Sequence, residues 1–399
     1  MATINNYEGF LPNAEDIEVM ANSLAIIAAA KAGTAETTPA ALHSIARAGI
    51  GSRVFAPGDQ MVVKYNDNGA TGTEYDMDVD FAHFKNVELE GGELTPGIVQ
   101  KFHYTLPFGT EFDAAEAFYA VPAAGLPAGK YYIEFPAKSD KIEAGLYEFT
   151  TTVALSEGAQ LCINNNASPT VTTYATCGAR EVTETLATTK VSSSTGTSLG
   201  QCKDNVVTET NNCWTRAFWG YNRWSQSAIR QYLNADSADW WQPQNPFDRP
   251  PSYVAKTGFL AGLPAELVAV MGKVKVQTLT NSVIDHSEVD TTYDKVFLPS
   301  FNEAFISDSA AAKAVEGEPW DWFVYQADNA GVPLTYNVAY PHTRAFAINA
   351  KTTAQYVWSR SPYRWGAGNV YFRGASGTPY GNYAATNSGV RVRPAWVIV

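Results

Sequence analysis

From about Arg53 onward, apolar residues recur at every second position, a period that fits antiparallel β-structure and little else. Gln60–Tyr65, Tyr75–Phe84, Lys130–Phe135 and Leu146–Leu155 alternate or run β-branched and aromatic, separated by Gly, Pro, Asn and Asp clusters. Residues 53–157 are therefore predicted to form an all-β sandwich. Residues 1–52 read differently. Asn13 can cap a helix whose apolar side is Ile17, Met20, Ala21, Leu24, Ile27 and Ala28, ending at Gly33. A second helix is expected from Thr38, with Pro39 at its first position, to near Gly49. Such short amphipathic helices either pack on their own domain or serve docking and oligomerisation. Residues 158–200, rich in Thr, Ser, Asn and Ala, are expected to be a connector, strand-like or loop.

Composition divides the chain a second way. All ten Trp lie between Trp214 and Trp396. Of the net charge of −12, residues 1–199 carry −13 and residues 200–399 carry +1, and from Gly331 to Val399 there is no carboxylate side chain but there are seven Lys/Arg. No basic stripe is long enough to track phosphates, so nucleic-acid binding is not expected. Glu8, Glu15, Asp16 and Glu18 precede the apolar stretch Leu24–Ala30, which is too short to span a bilayer. Neither a signal peptide nor membrane insertion is expected. Cys162, Cys177, Cys202 and Cys213 form no C-x-x-C pair. They are expected to be reduced thiols, or one or two disulfides if a particle matures outside the cell.

Residues 201–399 form the last expected domain. Trp224-Ser225 followed by Ala228, Ile229, Tyr232 and Leu233 predicts a helix capped by Ser225, and Pro264–Met271 predicts another. Short strands are expected at Val274–Leu279, Lys295–Leu298, Ala345–Ile348, Ala354–Arg360, Val370–Arg373 and Val390–Val399. In the last, Val390, Val392, Pro394, Trp396 and Ile398 share a face. The fold class is α+β and multidomain.

Strong enzyme signatures are absent: no G-x-S-x-G, no phosphate-binding Gly-x-x-x-x-Gly-Lys and no H-E-x-x-H. Each of the five His stands alone. Asp76, Asp78 and Asp80 would project from one strand face, but a calcium loop needs a Gly next and a Glu at position twelve, where Phe81 and Val87 stand. A solvated strand face is the better reading. Asp285, His286, Glu288, Asp290 and Asp294 match no ligand spacing. No catalytic residue, metal site or cofactor is expected.

The informative segment runs from Trp358 to Pro394. Its Tyr, Trp, Arg, Asn, Ser and Gly are the residues of a general-purpose paratope: rings supply contact area at low entropy cost and small polar residues supply adaptable hydrogen bonds. The alternative is that they are core aromatics and turn glycines.

Several ordered motifs then carry a resemblance. Trp224-Ser225 with Ile229-Arg230-Gln231-Tyr232-Leu233-Asn234, Trp240-Trp241, Asp294–Ser300, Trp358-Ser359-Arg360-Ser361-Pro362 and Gly389–Trp396 resemble the variable proteins of diversity-generating retroelements. That family includes phage tropism determinants with a C-type-lectin-like C-terminal domain. The resemblance covers residues 200–399, and less specifically the phage structural portion before them. It implies that the Trp-x-Arg-Ser-Pro and Gly-Val-Arg-Pro-Ala elements hold the fold while positions between them are diversified. Here the closing motif carries an extra Val-Arg pair before Pro394. The implied ligand-facing positions are Tyr363, Arg364, Trp365, Gly368, Asn369, Tyr371, Arg373, Tyr380, Gly381, Asn382, Tyr383, Ala385 and Asn387. The expected protein is a bacteriophage virion component on a tail fibre or head, synthesised in the bacterial cytoplasm. Its partners would be a protein or glycan receptor on the host surface and other virion proteins through the N-terminal region, with a homotrimer as the expected assembly. Rivals are an architectural capsid or fibre protein, a calcium-dependent sugar lectin and a formylglycine-generating type of enzyme. The lectin's Glu-Pro-Asn or Gln-Pro-Asp triplet and the enzyme's C-terminal cysteine pair are missing.

Overall fold

The computed structural model describes residue 21 and residues 37–136, 142–164, 168–174, 183–203, 215–304, 310–331 and 344–399. The helix expected at residues 13–33 lies outside them, except for Ala21. The second helix forms at Pro39–Arg47, where the Thr38 hydroxyl accepts from the Ala41 amide and Pro39 needs no amide partner. Its apolar side, Leu42, Ile45 and Ala46, is buried in the main core. The His43 ring contacts the Val399 carbonyl. This helix therefore packs on its own fold. No described helix is long and apolar enough to cross a membrane.

Strands are numbered along the chain. β1 (Gln60–Ala70), β2 (Glu74–Glu88) and β3 (Leu94–Phe102) form an antiparallel meander, as their period of two requires. They do not close into a sandwich with the strands that follow. Instead β3 pairs with β19 (Ala395–Ile398), and β19 pairs with β13 (Val296–Phe297), giving one five-stranded sheet. Val397 stands opposite Val99 and Trp396 opposite Gln100, whose side-chain oxygen accepts from the Trp396 indole at 2.9 Å. Of the strand expected at Val390–Val399, with one shared apolar face, Ala395–Ile398 forms. As an interior strand covered on both faces, β19 buries all four of its residues.

The second sheet has seven strands, in the order β10-β5-β6-β9-β8-β7-β4. These are β4 (Tyr119–Ala120), β5 (Gly129–Phe135), β6 (Gly145–Thr151), β7 (Gln160–Ile163), β8 (Thr170–Tyr174), β9 (Thr183–Val191) and β10 (Thr197–Gln201). The Thr/Ser-rich stretch after residue 157 thus supplies four paired strands, and its strand-like alternative is the one that holds. This sheet has its own core around Phe118, Ile133, Phe135, Phe149 and Leu161, with Phe218 packed 5.9 Å from Phe135. The region expected as one sandwich feeds both sheets.

Residues 215–399 mix short helices with hairpins, so the architecture is α+β with several sheets. The helix at Ala228–Leu233 is capped by Ser227, not Ser225: the Ser227 hydroxyl accepts from the Arg230 amide at 3.3 Å. Ser225 instead belongs to a 3-10 turn, and its amide donates to Asp290. The second expected helix forms at Ala265–Ala269. β11 (Val274–Leu279) pairs with β12 (Val289–Asp294), and β14 (Ala345–Ala347) with β15 (Ala350–Gln355). β16 (Val357–Pro362), β17 (Asn369–Arg373) and β18 (Pro379–Ala384) make a three-stranded sheet. The single strand expected at Ala354–Arg360 breaks at Tyr356, and its halves join different sheets.

The Asp76, Asp78 and Asp80 row is solvated only in part. Asp76 is exposed beside Lys64, 2.7 Å away. Asp80 is buried, paired with Lys101 and 2.9 Å from the His103 ring. Burial alone would raise its carboxyl, but Lys101, His103 and Arg393 hold it well below the usual carboxylate range.

Candidate ligand-binding face

The segment Trp358-Ser359-Arg360-Ser361-Pro362 forms β16 and is buried throughout. The Trp358 indole donates to the Thr110 carbonyl at 2.8 Å, and its backbone amide donates to Arg391 O at 3.0 Å. The Arg360 guanidinium pairs with Glu303 and donates to the carbonyls of Leu298 (2.9 Å), Gln277 and Glu316. Ser361 accepts from the Phe301 amide at 2.8 Å and donates to the Glu316 carboxylate at 2.6 Å. No side-chain nitrogen or oxygen of the motif is buried without a hydrogen-bond partner, which is why these residue types stand there.

Behind the loop that joins β16 to β17 lies a buried amide relay. Asn222 Nδ2 donates to the carbonyls of Gly366 (2.6 Å) and Asn369 (2.7 Å), and its Oδ1 accepts from Asn281 at 3.0 Å. Asn281 also donates to Asp285, while its Oδ1 accepts the amides of Val283 and Ile284. Tyr221 donates to Asp285 from the other side. Burial raises the Asp285 carboxyl, against the pull of Tyr221 and Arg223. The neighbouring carboxylates grip the same segment: Asp290 holds Arg223 and the Ser225 amide, and Asp294 holds the Trp224 indole, Arg230 and Thr292. Among the described residues no three His, Cys, Asp or Glu side chains converge as metal ligands. Cys162 and Cys202 are buried, whereas Cys177 and Cys213 lie outside the described residues.

On this frame the three-stranded sheet carries aromatics on both faces. Tyr363 and Tyr371 meet at 5.6 Å, with Tyr371 packed 4.4 Å from Phe301. A Cβ built on Gly381 would stand 2.6 Å from the Tyr371 ring and 2.7 Å from Tyr363, so the bare backbone of Gly381 seats both rings. On the opposite face Tyr383 stacks on Phe372 at 4.1 Å, Tyr380 stacks at 5.4 Å, and Tyr356 closes on Tyr383 at 5.4 Å. Tyr380 and Tyr383 are three residues apart and in a regular strand would face opposite ways. A bulge between the pairs Val370↔Tyr383 and Phe372↔Tyr380 turns them to one side. Burial and the Tyr356 hydroxyl push the Tyr383 phenol up. Trp365, at the tip of the joining loop, is 60% exposed, and Tyr380 is 45% exposed.

Residues 199–399 match the model of a domain of unknown function, DUF6273. The chain belongs to that family. No curated protein and no solved structure matches it.

Within the DUF6273 domain the thirteen sequence-derived positions divide. Trp365 and Tyr380 are exposed, and Tyr363, Arg364, Asn369, Tyr371, Gly381, Tyr383 and Asn387 are half-buried. Arg364 is tethered through its carbonyl to Ser282, and Asn387 accepts from the Gly389 amide. Asn382 lies on β18. Three positions do not face solvent. Gly368 is packed so that a Cβ would meet Trp219 at 2.8 Å, Arg373 lies 4.8 Å from the Phe323 ring, and Ala385 is fully buried with its carbonyl accepting from Phe112 and Asp113. Sequence reasoning missed Tyr356, Asn222 and Asn281. Tyr356 precedes the Trp358 motif and reads as an ordinary strand residue, and a lone Asn in a polar stretch looks like a turn.

Glu316 gives the DUF6273 domain a testable pH signature. Burial pushes its carboxyl up, opposed by Arg360 and by hydrogen bonds from Ser361 and the Leu279 amide. A raised folded pKa stabilises most below the unfolded value and loses that contribution as pH rises through the folded value. Glu316→Gln keeps an acceptor for Leu279 and removes the titration. The stability advantage of the wild type over this variant is expected to be larger at pH 5 than at pH 7.5, measured by urea denaturation. An advantage that grows with pH would contradict this.

Proposed function

We propose that this protein is a non-enzymatic ligand-binding component of a bacteriophage virion. Its C-type-lectin-like DUF6273 domain would present the 363–387 segment to a protein or glycan receptor on the host surface. The observation that carries this reading is the division of aromatics within one short sheet. Trp358 is sealed in the core by two hydrogen bonds, while Trp365, seven positions later, stands 60% exposed on a loop held from behind by Asn222. Exposed rings on a rigid frame are what adaptable recognition uses, and they are costly without a partner. The retroelement resemblance supplies the rest: a diversified repertoire at these positions and display on the particle.

The experiment follows from exposure. The double variant Trp365→Ala, Tyr380→Ala removes the two most exposed rings and leaves Tyr371 and Tyr383, which pack on Phe301 and Phe372. Attachment of the purified protein to host cells is expected to fall at least about tenfold, as for hot-spot aromatics. Its Tm is expected to move by less than about 2 °C, as for surface substitutions. Unchanged attachment would favour the architectural rival, in which these rings are covered between subunits. A neighbouring reverse-transcriptase gene and a near-copy of the codons for Trp358–Pro394, differing only at adenines, would support diversification.

A further inference from the structure

Beneath β16 and β17 lies a cavity of about 30 Å3, room for a water or a small ion and little more. Its walls include Trp358, Phe372 and Phe323, and three cationic side chains share the lining: Lys101, Arg373 and Arg393. Lys101 is fully buried on β3, paired with Asp80, with its ammonium 3.5 Å from the Trp322 ring centre. Arg393 is 4% exposed, and its Nε donates to the carbonyls of Phe102 (3.2 Å) and His103 (2.9 Å). Its Nη2 is buried without a hydrogen-bond partner. Its guanidinium carbon is 5.2 Å from Trp322, so one indole serves two cations.

Among the described residues, Arg393 lacks a carboxylate partner of its own. Asp80 is the one carboxylate paired with Lys101 among the described residues, no ion pair joins Arg393 to any described carboxylate, and Asp80 also engages His103. A buried cation without a matching anion must either give up its proton or acquire a counter-ion. Arg does not give up its proton at ordinary pH. Burial, with Arg393 and Arg373 nearby, pushes the Lys101 ammonium well below its ordinary range despite Asp80, and burial pushes Arg393 down to about 10.

We propose that this cavity binds a small monovalent anion of chloride size, held by Arg393 and Lys101 with Arg373 on the β17 side. Arg393, buried with its Nη2 unpartnered and with no carboxylate partner among the described residues, calls for a single negative charge. Such an ion would tie the paired strands β3 and β19 of the five-stranded sheet to the candidate binding sheet and to the helix Asp321–Ala330. Lys101 comes from the five-stranded sheet, Arg393 from the segment entering β19, and Arg373 from the candidate binding sheet; Trp322 and Phe323 come from the helix Asp321–Ala330. This inference does not rest on the proposed function.

Two measurements on the intact wild-type chain test it. Crystals grown in sodium bromide are expected to give an anomalous bromide peak within hydrogen-bond reach of Arg393 Nη2. In solution, replacing gluconate by bromide at constant ionic strength, up to about 0.2 M, is expected to raise Tm by about 2 °C or more, as for any ligand that binds only the folded state. Arg393→Met, where it folds, is expected to lose that rise. Water density in place of bromide, or a Tm indifferent to bromide, overturns the site and leaves Lys101 neutral as the resolution of the charge.

Discussion

Arg360→Met is expected to cost about 3–5 kcal/mol of stability, the range found when one partner of a buried ion pair is removed. The guanidinium at this position neutralises Glu303 and donates to three backbone carbonyls in the interior. Burial pushes the Glu303 carboxyl up, but Arg360 first and Lys85 second hold it below its ordinary value. Lys85 lies 3.6 Å from Glu303 and is itself partly exposed, so it cannot take over. Methionine fills the volume of the Arg stem and leaves the carboxylate without its main partner. The loss is read from the urea midpoint at unchanged slope. The double variant Arg360→Met, Glu303→Gln is expected to recover part of it, because the stranded charge is then gone. A single variant within about 0.5 kcal/mol of wild type would mean that the pair is solvated and that the Trp358–Pro362 motif is not held as described.

The second large effect concerns a neutral side chain. Asn222→Ala is expected to cost about 3 kcal/mol, from orphaned buried groups worth about 1–3 kcal/mol each. The Gly366 carbonyl loses its donor, the Asn369 carbonyl keeps only the Tyr363 amide, and the Asn281 amide loses an acceptor. The damage should be local as well as global. Hydrogen exchange of the amides between Tyr363 and Asn369 is expected to accelerate beyond what the global loss explains, while β3 and β19 keep their order of protection. Uniform acceleration across all sheets would show that the relay serves general stability and not the loop. Because Trp365 rides on that loop, the function proposed above predicts that attachment to host cells weakens with it, even though no contacting side chain has changed.

How much of this could be read from the chain depended on how local the cause was. The Thr38–Pro39 start of the first described helix, β11 at Val274–Leu279 and the buried role of Trp358 and Arg360 follow from capping chemistry, period and motif. The pairing of β3 with β19 does not, since nearly three hundred residues separate Val99 from Val397 and alternation marks a strand without naming its neighbour. Thr-rich strands such as β8 and β9 were ambiguous because half of the apolar signal is missing while β propensity stays high. Ser225 and Ser227 are equally good caps on composition, and tertiary bonds to Asp290 decide between them. At the candidate face, the sequence located the aromatic segment but not its sidedness. The bulge in β18 that gathers Tyr380 and Tyr383 leaves no mark in residue type, and the burial of Gly368, Arg373 and Ala385 is set by Trp219, Phe323 and Phe112, which are distant in the chain.

Gly381 limits what variation at this face could achieve. Its missing side chain is the space in which Tyr363 and Tyr371 lie, so anything larger at 381 must displace these rings from their present positions. If these positions are diversified, the three cannot be drawn independently. A population of variants would fall into two kinds, one with a bare backbone under a pair of rings and one with a side chain at 381 and a smaller residue at 363 or 371. The number of usable surfaces is then smaller than the product of the choices at each position, and it is steric exclusion within one sheet that sets the difference.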